Sequence, residues 1–134
     1  MKVKSGLTRR LVESSQTFFD AYVDAALWSS TDNVDDSGGE PLDKNYGRED
    51  IEPDTLAKMK QDCDAFIRDN DADLRVSGLS DEQAGHYFWL NRNGHGTGFW
   101  DQGDDPVFKR LDDASDKFGS FDLFVGDNGK IDGS

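Results

Sequence analysis

The sequence predicts an α+β fold, a single domain with three to four helices packed on a small antiparallel sheet of two β-hairpins. Three observations lead there. Apolar residues recur at helical spacing through the first half of the chain. Aromatic residues and glycine-rich turns gather in the second half, as in hairpins. Helices first and strands later imply α+β rather than alternating βαβ units. A chain of 134 residues suits one domain with one core, here residues 1–134.

The first helix is expected over residues 8–28. Leu11, Phe18, Phe19, Tyr22, Val23, Ala26 and Leu27 form its apolar face. Residues 29–52 then lose all apolar period and fill with turn formers, which predicts a long polar loop. Glu52-Pro53-Asp54 starts the second helix, with proline in the first turn and an acid near the positive helix end. Leu56, Met59, Cys63, Phe66 and Ile67 continue it as one stripe to about residue 69, where the polar DNDAD run is expected to end it. Cys63 in mid-stripe reads as a small core residue rather than a reactive thiol.

Ser80 and Gln83 match a capping box, so a short helix is expected over 81–85, stopped by Gly85. Tyr87–Leu90 then reads as a strand by composition, with Phe99 and Trp100 as its partner. Asp105-Pro106 opens a further helix bearing Val107, Phe108, Leu111, Ala114 and Phe118, with Gly119 just past its end. Phe121, Leu123 and Val125 alternate into a last strand, and the GDNG turn returns the chain to Lys130 and Ile131.

Charge bounds the function. The formal net charge is −13, from 28 acids against 15 bases, and aspartate dominates the acids. The basic residues Lys2, Lys4, Arg9 and Arg10 crowd a segment, 1–10, that holds no acid, so the rest of the chain is more acidic still. Such a field repels nucleic acid and favours basic partners, including host proteins that themselves bind DNA or RNA. No apolar run approaches a membrane span, and no apolar segment follows the basic start as a signal peptide would require. A single cysteine fits a reducing cytoplasm.

Chemistry-bearing residues concentrate in HYFWLNRNGHGTGFWD, residues 86–101. Asn93-Gly94 and Gly96 suit positive φ, and Gly98 suits a bulge or a close backbone approach. Trp89 and Trp100 would face each other across the ladder, and Arg92 would stack on a tryptophan or pair with Asp101. On this reading Trp89, Arg92, His95, Trp100 and Asp101 form a binding surface. A catalytic alternative makes His95 a general base oriented by Asp101, with Arg92 as an electrophilic clamp, in a small His-dependent or metal-dependent hydrolase. No nucleophile motif accompanies it, and the spacing of His86 and His95 matches no familiar zinc pattern. The aspartates match no calcium loop, and phosphate-binding fingerprints are absent, so no cofactor or metal is expected.

The segment FWLNRNGHGTGFWDQG, followed after a short helix by KFGSFDLFVGDNGKI, resembles a family of small proteins of bacteriophages, plasmids and other mobile elements. The shared features are the FWL-x-RNGHG-x-GFWD block and the final DLFVGD-x-G hairpin. The helical half, including GGEPLDKNYGREDIEPDTL, is similar too. The resemblance implies an accessory role and brings no catalytic residues with it. The acidic clusters Asp69, Asp71, Asp73 and Asp104, Asp105, Asp112, Asp113, Asp116 suggest phosphate mimicry. The expectation is therefore an accessory protein that binds a basic partner, as an inhibitor of host defence would (anti-CRISPR or anti-restriction), or else a structural protein without a site.

Overall fold

The structure is a computed structural model that describes residues 5–32, 40–94 and 97–134, with side chains from Glu13 onward except Asp32. Four α-helices and a small antiparallel hairpin make an α+β fold: α1 Ser5–Ser29, α2 Pro53–Ser77, α3 Asp81–Arg92, α4 Pro106–Asp116, β3 Leu123–Val125 and β4 Ile131–Gly133. Within the long loop, β1 Thr31–Asp32 pairs with β2 Glu40–Pro41, and two 3-10 turns, Leu42–Lys44 and Arg48–Asp50, lead into α2. Leu42 is wholly buried there, so part of the expected loop belongs to the core. Among the described residues no helix is long and apolar enough to cross a membrane.

The first correction concerns the middle of the chain. Tyr87–Leu90 is not a strand but the second half of α3, and Phe99–Asp101 is a 3-10 turn rather than its partner. The two-hairpin sheet therefore reduces to the C-terminal hairpin, apart from the two-residue pairing in the loop. Local chemistry explains why. Ser80 Oγ accepts the Gln83 amide at 3.0 Å, Gln83 Oε1 accepts the Ser80 amide at 3.0 Å, and Asp81 and Glu82 occupy the positive end. A helix so well started continues wherever its faces find partners, and tertiary packing overrides the β preference of Tyr, Phe and Trp. Phe88 stacks on Phe66 of α2 at 4.2 Å between centroids, and Trp89 meets the edge of Tyr22 of α1 at 5.3 Å.

Gly85 does not stop α3; it lets α3 touch α1. A Cβ at this position would stand 2.0 Å from the Phe18 carbonyl oxygen, so only glycine fits the crossing. The phenylalanines Phe18, Phe66, Phe88 and Phe99 then form the centre of one apolar cluster that also takes in Met59, Leu90 and Leu111.

The second helix outruns its expected end. Its geometry breaks at Asn70, whose side chain donates to the Phe66 carbonyl at 2.9 Å, and then resumes to Ser77. Ion pairs Asp71–Arg75 and Asp73–Arg110 support the added turns. Cys63 lies fully buried, and burial pushes its thiol well above the usual range against the pull of Lys60. The last helix and hairpin follow the expected chemistry. Asp105 caps α4 by accepting the Val107 amide at 2.9 Å, and Leu123 pairs with Gly133, Phe124 with Asp132 and Val125 with Ile131. The hairpin is tied to the start of α2 through a bridge between Ile51 and Ile131.

Candidate functional site

The motif Leu90-Asn91-Arg92-Asn93 ends α3, and each polar residue in it fastens a different part of the chain. Asn91 accepts the Phe99 amide at 2.9 Å and donates to Asp112 and Asp116 of α4. Asn93 accepts the Phe121 amide at 2.8 Å and so holds the start of the hairpin. Arg92 lies between them, with only 2% of its side chain exposed. Its Nη1 donates to Asp62 of α2 at 2.9 Å and to the Tyr22 hydroxyl of α1 at 3.0 Å. Its Nε and Nη2 donate to the carbonyls of Gly119 and Phe118. The rings of Phe88, Phe118 and Phe121 surround the guanidinium within 5.7 Å. Burial pushes the Tyr22 phenol up, against the lowering influence of Arg92, so Tyr22 is a neutral phenol that accepts from Arg92.

This corrects the surface reading of the motif. Arg92 neither clamps a ligand nor pairs with Asp101; it joins α1, α2, α3 and the turn that follows α4. Trp89 is 1% exposed and donates its indole N–H to Ser29 Oγ at 2.7 Å, so it does not face Trp100. Trp100 is 53% exposed and alone of the pair is available to a partner. Asp101 closes the 3-10 turn. Its carboxylate accepts the Gly98 amide, the Thr97 hydroxyl and the Gln102 side-chain amide at 2.8–3.1 Å. Burial raises its pKa, but these hydrogen bonds outweigh that and hold the carboxyl below its usual range. His95 and Gly96 lie outside the described residues, as do residues 33–39 of the loop.

The acidic clusters are largely matched from within. Asp69 pairs with Arg68, Asp71 with Arg75, Asp73 with Arg110, and Asp113 with Lys109. Asp105 is spent on its helix cap. Asp112 and Asp116 share the Asn91 amide, and burial together with Asp112 and Asp113 raises the pKa of Asp116. Of the acids expected to mimic phosphate, Asp104 alone has no such partner among the described residues.

A second place is built differently. Ala21, Asp24, Ala25 and Trp28 lie on one face of α1 at helical spacing, and Glu82, Gln83, His86 and Tyr87 lie on one face of α3. These faces border two adjoining hollows of about 330 and 220 Å³ that share Asp24 and His86. Asp43, from the Leu42–Lys44 turn, closes one side. Trp28 is 56% exposed and lies 6.0 Å from His86 between ring centroids, tilted by 37°. Asp24, Asp43 and Glu82 are exposed and form no ion pair among the described residues. The sequence held one sign of this place: Trp28 falls off the apolar stripe of the first helix. His86 was hidden because it fell between an expected helix ending at residue 85 and an expected strand beginning at Tyr87, whereas it lies within α3.

Among the described residues no group of three His, Cys, Asp or Glu side chains is placed to hold a metal ion. Scans of protein-family models, of curated proteins and of solved structures return no significant match to this chain.

Proposed function

We propose that the chain is a small acidic accessory protein of a phage or mobile element and that it acts by binding a basic partner protein of the host. Inhibition of a host defence nuclease is the role that suits this chemistry. The observation that carries the reading is the coincidence of a −13 net charge with an exposed tryptophan beside carboxylates that form no ion pair among the described residues. Surplus negative charge steers a basic partner, and an exposed aromatic supplies the contact that outlasts the encounter. Phosphate mimicry by a stripe of aspartates is not needed, since most of those aspartates are paired within the chain.

Affinity capture from bacterial lysate at low salt tests this. One partner of high isoelectric point, released as salt rises, is expected because exposed charges are screened. Recovery of no partner from several hosts, or of an acidic partner indifferent to salt, would contradict it.

A further inference from the structure

We propose that the hollow between α1 and α3, walled by Trp28 and His86, receives an arginine side chain of the partner. This deepens the reading of a basic partner and rests on it. The aromatic pair comes first: an indole left 56% exposed lies 6.0 Å from an imidazole between ring centroids, and both rings line the hollow. The carboxylates choose the occupant. Asp24 and Asp43 line the same hollow as the two rings, and Glu82 lines the adjoining one. An alkyl or aromatic ligand would leave those charges unmatched, whereas a guanidinium offers a flat face to an aromatic ring and in-plane donors to carboxylates.

The chain itself fills the neighbouring position in this way. One turn earlier on α1, Phe19 and Asp20 hold Arg48: its guanidinium lies 4.8 Å from the Phe19 ring centroid and donates to the Asp20 carboxylate. Arg92 is seated likewise, among three phenylalanine rings and Asp62. Asp24 and Trp28 likewise bring a carboxylate and an aromatic ring to one hollow, with no cation paired to Asp24 or lying over Trp28 among the described residues.

The test is a nuclear magnetic resonance titration with a short peptide bearing three arginines separated by glycines. Matched lysine and citrulline peptides serve as comparisons. The Trp28 indole N–H and the His86 ring signals should shift and saturate with the arginine peptide. The lysine peptide should bind several-fold more weakly, and the citrulline peptide should leave the signals still. Trp28→Ala and the Asp24→Asn, Asp43→Asn double variant should each weaken binding about tenfold, with unchanged melting temperature. Shifts confined to the Trp100 region, or affinity untouched by these variants, would overturn the hollow as receptor while leaving a basic partner in place. Absence of binding by every basic peptide at low salt would overturn both readings.

Discussion

The clasp around Arg92 and the hollow beside Trp28 use the same materials: aromatic rings, carboxylates and a place for a guanidinium. They differ in where the cation comes from. In the clasp it is the chain's own, buried, with donors to Asp62, Tyr22 and two carbonyls. A charge taken so far from water is tolerable only with partners on all sides. The hollow is open to solvent, and its carboxylates are exposed and form no ion pair among the described residues. The first arrangement specifies a fold; the second is fit for recognition. A dense motif is thus no guide to a binding surface, because a buried arginine demands just such a crowd of polar and aromatic neighbours.

Substitution separates the roles of the clasp and the hollow. Arg92→Ala should be the most damaging change, costing about 3–5 kcal/mol by leaving Asp62 with Lys58 alone, opening a hole among three phenylalanine rings and freeing two carbonyls, as read by urea unfolding. A cost under 1 kcal/mol would mean that the clasp is not central. Gly85→Ala comes next. A methyl against the Phe18 backbone should cost about 1–3 kcal/mol or more through separation of α1 and α3. Trp28→Ala should change stability by no more than about 0.5 kcal/mol, since the side chain is mostly exposed. A large loss there would move Trp28 from recognition to packing.

The smallest effects have opposite signs in acid. Asp101 has a lowered folded pKa, so its contribution is present above the ordinary aspartate value and is lost as pH falls through the folded value. Asp116 has a raised pKa, so its unfavourable contribution at neutral pH is relieved as pH falls through that value. Asp116→Asn should therefore stabilise the protein at pH 7 by a few tenths of a kcal/mol and flatten its acid profile, whereas Asp101→Asn should destabilise it. Equal signs for the two variants in thermal melts would contradict this account.

Much of the fold was legible in the sequence. The stripe Phe18-Tyr22-Ala26, the cap at Asp105 and the GDNG hairpin are local signals with local causes, and each forms the element expected of it. Tyr87–Leu90 misled because its composition favours strands while its fate was decided at long range, by Phe66, Tyr22 and the α1 backbone at Gly85. Asn70 misled in the opposite sense: it does break helical geometry, but ion pairs beyond it restart the helix. For the site, only Trp100 among the expected aromatic contacts is exposed. Trp28 and His86 are 58 positions apart, and only the α1–α3 crossing brings their rings to 6.0 Å.

On the proposed reading, recognition resides at the hollow and not at the motif. Intermolecular nuclear Overhauser effects between an arginine peptide and the protein test it most directly. Contacts from the arginine δ-methylene protons to the Trp28 indole and the His86 ring are predicted. Contacts instead to Trp100 and residues 97–102, with Trp28 and His86 silent, would contradict it.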